Sequence, residues 1–137
     1  MVLKVVAHSM GSAYAKGYIA ALIAYAKKHP EQCQGLSITE YDIAPYQPGQ
    51  QQKIKGVATN QFANDGDGVN KWYLGSSNDK EDGADTYNEN NGAGGYSIFD
   101  FKWIMGLNSS LPTGTYVWNS QSQTFVPAPA PAPTPTH

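Results

Sequence analysis

Cysteine is almost absent from this chain: Cys33 is the only one among 137 residues. A single cysteine cannot form a disulfide within the chain, and it cannot supply the thiolates of a structural zinc site or of a thiolate-bound cluster. Cys33 follows the first predicted helix and is not expected to act as a nucleophile. We expect neither a bound metal nor a cofactor, since no motif in the chain requires one.

Charge of either sign and long apolar runs are also scarce. The net charge is −2 and 15% of the residues are charged, so the chain lacks the basic surplus of a nucleic-acid-binding protein. No apolar run approaches the ~18 residues of a membrane span. We therefore expect neither nucleic acid as a partner nor a membrane span. A chain of this length with 40% hydrophobic residues is typical of one globular domain.

Proline is concentrated at the C-terminus of the chain. From Pro127 to Pro135 it alternates with small residues, a composition typical of polyproline II or disordered spacers. We therefore assign residues 1–126 to a folded domain and residues 127–137 to a flexible tail.

The segment Ala7-His8-Ser9-Met10-Gly11 is the most informative part of the chain. A β-branched run before it, Val2–Val6, predicts a strand, and Ser12–Lys28 predicts a helix directly after it. Small residues at both ends of the segment let the strand and the helix approach closely around a tight turn. We expect Ser9 at the tip of that turn in a strained, left-handed backbone conformation. In the alternative interpretation, Ser9 only caps the helix.

Apolar residues cover a wide arc of the predicted helix, which indicates that the helix packs on a sheet. The arc consists of Tyr14, Tyr18, Ile19, Ala21, Leu22, Ile23 and Tyr25. Three lysines mark the side that we expect to face solvent: Lys16, Lys27 and Lys28.

The remaining pattern predicts an α/β fold. A helix between two strands implies a right-handed parallel crossover, so the core is a β-α-β unit with parallel strands. Residues 71–95 are rich in Asn, Asp, Gly and Ser and predict a long excursion. The later elements are strands over 36–43 and 54–62, a short helix over 97–107 capped by Ser97, and a C-terminal hairpin of 115–118 with 124–126.

From Val2 to about Leu111 the chain resembles the C-terminal half of an α/β-hydrolase of the lipase and esterase type, beginning at the nucleophile elbow. The elbow segment carries this resemblance together with Gly94-Gly95-Tyr96-Ser97, which is similar to the loop that bears the histidine of such enzymes. In that family the chain order is nucleophile, acid, histidine. The implied site residues are the nucleophile Ser9, the acid Asp65 or Asp67 (with Asp42 as the alternative), and Met10, whose N–H would be an oxyanion donor.

Two departures from the family weaken the implied catalysis. Tyr96 stands at the position of the histidine, and a tyrosine, with an ordinary pKa of about 10, is a poor general base at pH 7. Tyr96 can also be read as a packed loop aromatic. In addition, the strands that precede the elbow in the family, with the loop that gives the second oxyanion donor, are missing from the chain. We expect self-association or a missing N-terminal half to cover strand 2–6, strand 36–43 or the apolar face of the helix.

Two functions follow as hypotheses. The chain is a serine hydrolase-like domain or fragment of the esterase and lipase type, acting on an ester or acyl substrate through Ser9 and weak or inactive as it stands. Alternatively, it is a non-catalytic binding or assembly module that keeps the hydrolase architecture. The acid among Asp42, Asp65 and Asp67, and the source of any catalytic base, stay open at this point.

Overall fold

In the part of the chain that the structure describes, six strands form one sheet, and their order across the sheet is their order along the chain. The computed structural model describes residues 1–64, 80–90, 95–106 and 111–129. Neighbouring strands pair in parallel, except that the last two are antiparallel. The strands are β1 (Val2–His8), β2 (Ser37–Ile43), β3 (Ala58–Asn64), β4 (Thr86–Asn90), β5 (Gly114–Asn119) and β6 (Thr124–Pro127).

One α-helix and two 3₁₀ helices accompany the sheet in the described part of the chain. Helix α1 (Gly11–Lys28) joins β1 to β2, and the 3₁₀ helices cover Pro48–Gln50 and Ile98–Gly106. The predicted β-α-β unit with parallel strands is confirmed by the pairing of β1 with β2. The predicted C-terminal hairpin is confirmed by β5 and β6. The fold is therefore α/β with a mostly parallel sheet.

The two faces of the sheet carry separate cores. Leu3 and Val5 of β1 point toward α1, where Ile19, Ile38 and Val57 form a small buried cluster. A larger aromatic cluster lies on the opposite face, under the second 3₁₀ helix. Its buried members are Ile43, Ala44, Phe62, Phe101, Trp103 and Trp118. Because side chains alternate along a strand, Val2, Lys4, Val6 and His8 belong to this second face.

The orientation predicted for α1 is right in part. Ile19 is buried, and Leu22 and Ile23 pack against the same cluster as predicted, but the positions of Lys16 and of two tyrosines are not the predicted ones. Lys16, expected on the solvent side, points at the sheet with a side chain only 12% exposed and contacts buried carboxyl groups of β2. Tyr14 and Tyr18, expected in the core, lie in solvent with Tyr14 78% exposed. The apolar pattern of the helix includes its tyrosines, which also tolerate solvent, whereas the sheet beneath the helix presents acidic residues that attract Lys16.

The region 71–95 contains a strand that sequence analysis missed. β4 is the polar segment Thr-Tyr-Asn-Glu-Asn, without the apolar alternation that predicts a strand. Several of its polar groups are hydrogen-bonded inside the sheet instead: Asn88 Nδ2 donates to the Gln61 carbonyl at 3.1 Å and to Thr86 Oγ1 at 2.9 Å. Such hydrogen bonds offset the cost of burying a polar strand.

Three element boundaries also differ from the predictions. β3 begins at Ala58 rather than at Ile54, after a turn in which Gly56 has a φ of 84°. The predicted α-helix over 97–107 is a kinked 3₁₀ segment, with the kink at Phe101. β6 runs through Pro127, and the Ala128 N–H donates to the Thr115 carbonyl at 2.9 Å; the rest of the predicted tail, from residue 130, lies outside the described residues.

No helix in the described ranges combines the length and the apolar character that crossing a membrane requires.

Candidate functional site

Ser9 lies on a sharp turn between β1 and α1. Its φ is 60°, a left-handed value that a residue with a side chain adopts only when its surroundings hold it there. The Ser9 N–H donates to the Ile43 carbonyl at 3.0 Å, and the Ser9 carbonyl accepts from the Tyr46 N–H at 3.2 Å. The carbonyl also accepts from the hydroxyl of Ser12 at 2.8 Å. These bonds fix the turn from both sides, and the predicted strained position of Ser9 is confirmed.

The alternative in which Ser9 caps the helix does not fit this geometry. The N-cap position of α1 is Met10, one residue later, and no side chain makes a capping hydrogen bond there. Met10 has right-handed helical φ and ψ angles. The first N–H groups of a helix have no partner within the helix and lie at its positive end, and the Met10 N–H is in this position directly after Ser9.

His8 and Tyr96 meet next to this turn. His8 Nε2 lies 2.8 Å from the Tyr96 carbonyl oxygen, and the two rings are 5.0 Å apart between centroids. A carbonyl only accepts hydrogen bonds, so Nε2 is the protonated nitrogen of His8. When the ring is neutral, its unprotonated nitrogen is therefore Nδ1. The structure thus brings the loop of Tyr96 to the residue that precedes Ser9, and the recorded hydrogen bond runs through the main chain of Tyr96.

Asn64, at the end of β3, holds that loop in place. This side chain is 2% exposed. Its Nδ2 donates to the carbonyls of Gly95 at 3.0 Å and Asp100 at 3.1 Å. Its Oδ1 accepts from Trp103 Nε1 at 2.9 Å and from Asn90 Nδ2 at 3.2 Å. All four hydrogen-bonding positions of the amide are occupied, so Asn64 ties β3, β4 and the loop before Tyr96 into one unit.

Sequence reasoning missed Asn64, although one signal points to it. It is a polar residue at the end of a strand, directly before the predicted acid Asp65. Asp65 and Asp67 themselves lie outside the described residues. Side chains at the carboxyl ends of parallel strands gather at one edge of a sheet, which is where α/β sheets bind ligands. Ser9, Asn64 and Tyr96 lie at that edge.

Asp42, the alternative acid, lies on the other face of the sheet. It is fully buried beneath α1, where Lys16 Nζ contacts its Oδ2 at 2.9 Å, Glu40 Oε1 at 3.1 Å and Glu81 Oε1 at 3.4 Å. Since His8 points to the opposite face, Asp42 is not placed to orient it. Asp42 belongs instead to a buried charge cluster of Lys16, Glu40, Asp42 and Glu81, which sequence analysis did not predict.

Burial and mutual repulsion shift the titration of this charge cluster. Burial, reinforced by the neighbouring Asp42, raises the pKa of Glu40 to about 7. Burial, reinforced by Glu81, raises the pKa of Asp42 to about 7 as well. Burial also raises the pKa of Glu81. Burial alone would lower the pKa of Lys16, but attraction to Asp42 and Glu81 outweighs it and raises that pKa. The cluster therefore keeps protons on its carboxyl groups near neutral pH.

Within the described residues, no group of three or more His, Cys, Asp or Glu side chains is arranged to hold a metal ion. Comparison of the chain with protein-family models, with curated proteins and with solved structures gives no match.

Proposed function

We propose that this chain is a serine hydrolase-like unit of the esterase and lipase type, with Ser9 in the position of the nucleophile. The observation that carries the proposal is the backbone of Ser9, with a φ of 60° on a strand-to-helix turn. Strained residues of this kind cluster at functional sites, and a turn of this shape presents a serine hydroxyl at the edge of an α/β sheet. The substrate class that fits is an ester or another activated acyl compound.

We infer that the chain turns over such a substrate slowly or not at all. Attack of the Ser9 hydroxyl on a carbonyl carbon requires a group that accepts its proton. Tyr96 occupies the loop where the resemblance places the histidine. His8 carries its proton on Nε2, which donates to the Tyr96 carbonyl, and among the described residues no hydrogen bond joins its Nδ1 to the Ser9 hydroxyl. A neutral phenol is a weak base at pH 7. Ser9 is therefore in the position proposed for the nucleophile, but the residues beside it give little support for transfer of its hydroxyl proton.

The first experiment measures whether Ser9 is nucleophilic at all. A fluorophosphonate forms a serine–phosphorus bond with loss of fluoride, and mass spectrometry locates the modified residue. We expect slow labelling of Ser9, and loss of that label in Ser9→Ala. Ser37→Ala is the matched control, because Ser37 is an exposed serine at the far end of β2. Labelling of Ser37 and other exposed serines as fast as Ser9 would contradict the proposal.

The second candidate function is a non-catalytic binding or assembly module with the same architecture. The observation that favours it is the outer edge of β1, where Val2 and Val6 are 72% and 65% exposed. Initial rates on a short-chain nitrophenyl ester distinguish the two candidates. Turnover that disappears in Ser9→Ala supports the hydrolase, whereas a chain without turnover and without Ser9 labelling supports the module.

A further inference from the structure

Among the described residues, β1 pairs with β2 on one side and has no strand on its other side. The hydrogen bonds at its two ends fix which main-chain groups face outward. The Ser37 N–H donates to the Met1 carbonyl, and the Ser9 N–H donates to the Ile43 carbonyl. Because partners alternate along a parallel pair, the odd-numbered residues of β1 bond to β2. The even-numbered residues Val2, Lys4, Val6 and His8 therefore turn their N–H and C=O groups to the outer edge.

This outer edge has few of the features that keep strands from pairing. It is seven residues long, carries one charged residue, Lys4, and contains no proline. Protein sheets ordinarily protect such an edge with charges, prolines, bulges or a cover. The exposed side chains of Val2 and Val6 flank it on one face. A groove of about 510 Å³ begins beside Val6 on that face and continues under the second 3₁₀ helix.

We propose that this edge binds β1 of a second copy of the chain, so that two six-stranded sheets join into one. The proposal names the partner of the second candidate function and does not depend on the chemistry of Ser9. A closed dimer has a two-fold axis, and the same surface patch serves both copies. A two-fold axis perpendicular to the sheet makes the two β1 strands antiparallel.

The register follows from the hydrogen-bonding pattern. In an antiparallel pair, residues whose N–H and C=O face the partner must lie opposite one another, so even-numbered residues pair with even-numbered ones. If Val5 lies on the two-fold axis, Val2 pairs with the copy's His8 and Lys4 pairs with the copy's Val6. Every residue of β1 then lies opposite a residue of the copy's β1. Placing Lys4 on the axis would set two ammonium groups opposite each other, which is destabilising, and would leave His8 without a partner.

The side chains under α1 suit this register. On that face Leu3 meets the copy's Ala7, and Val5 meets the copy's Val5, all of them apolar. No charged residue of β1 lies on this face, so the side chains that meet there do not repel each other.

The first test is the mass of the chain by light scattering over a dilution series, for the wild type and two variants at Val6. The Val6 N–H points outward. Val6→Pro therefore removes one hydrogen-bond donor from the interface and keeps all hydrogen bonds between β1 and β2. Val6→Ala is the matched control that keeps the N–H. We expect a dimer for the wild type and for Val6→Ala, with weaker association of Val6→Ala, and a folded monomer for Val6→Pro by circular dichroism. A wild type that stays monomeric at all concentrations overturns the proposal.

Cross-linking tests the register and decides the case in which Val6→Pro does not fold. With Cys33→Ser as background, Val5→Cys puts two thiols on the axis with Cα atoms about 4.5 Å apart, within the range of a disulfide. Lys4→Cys puts them about 7–8 Å apart or more, beyond that range. We expect a disulfide-linked dimer from Val5→Cys and little from Lys4→Cys. Linking of Lys4→Cys alone overturns the register, and no link in either variant overturns the interface.

Discussion

Lys16 Nζ lies 2.9 Å from Asp42 Oδ2 in the interior between α1 and the sheet. Lys16 is also within 3.4 Å of Glu40 and Glu81, and the three acidic side chains are at most 2% exposed. One cation thus stands among three buried carboxyl groups. Removing a partner of a buried ion pair leaves an uncompensated charge, whereas a neutral replacement of a surplus carboxyl relieves repulsion.

The first prediction concerns Lys16. Lys16→Met keeps most of the apolar stem and removes the ammonium group, so we expect the free energy of unfolding to fall by about 3–5 kcal/mol. Lys27→Met is the control, because Lys27 is exposed on the same helix. Urea unfolding followed by fluorescence measures both variants. Equal stability of the two variants would show that the contacts of Lys16 carry no net stabilisation.

The second prediction is the pH dependence of stability. The pKa of Glu40 and that of Asp42 are raised to about 7 from ordinary values of 4.5 and 3.8. The folded state therefore binds more protons than the unfolded state between those values, and the free energy of unfolding falls as pH rises through that window. We expect Glu40→Gln to flatten this slope and the exposed Glu31→Gln to leave it unchanged. Unfolding curves from pH 5 to pH 8 measure it, and a stability that increases over this range would contradict the assignment.

Sequence analysis identified the elements in which local pattern and tertiary structure agree. The β-branched run of β1, the turn at Ser9 and the hairpin at the C-terminus all carry strong local signals. The side of α1 that faces the sheet could not be predicted in the same way, because Lys16 is drawn inward by carboxyl groups that are 24 and 26 residues away. The strand β4 was missed for a similar reason: the amide nitrogens of its asparagines donate to groups that are distant along the chain, such as the Gln61 carbonyl.

The third prediction concerns Asn64. Replacing Asn64 with Ala removes four hydrogen bonds and leaves the Trp103 N–H and two main-chain carbonyls without this partner. We expect a loss of about 2–3 kcal/mol in the free energy of unfolding. Asn90→Ala removes one of the four bonds and should cost about 1 kcal/mol. Hydrogen exchange at the indole of Trp103 should become faster in Asn64→Ala and not in Asn90→Ala; unchanged exchange in both would contradict the role assigned to Asn64.

The last prediction tests whether Tyr96 stands in the position of a catalytic base. The recorded hydrogen bond from His8 is to the main-chain carbonyl of Tyr96, so Tyr96→His should keep that contact while adding an imidazole that accepts a proton near neutral pH. General base catalysis contributes typically 10²–10⁴-fold, and we expect ester turnover to increase toward the lower end of that range. Ser9→Ala in the Tyr96→His background should abolish the gain, because the nucleophile is then missing. Tyr96→Phe is the control for a change of side chain without a base and should leave turnover at the wild-type level. A gain that survives Ser9→Ala would mean that the new imidazole acts on the ester directly and would contradict the assignment of Ser9 as the nucleophile.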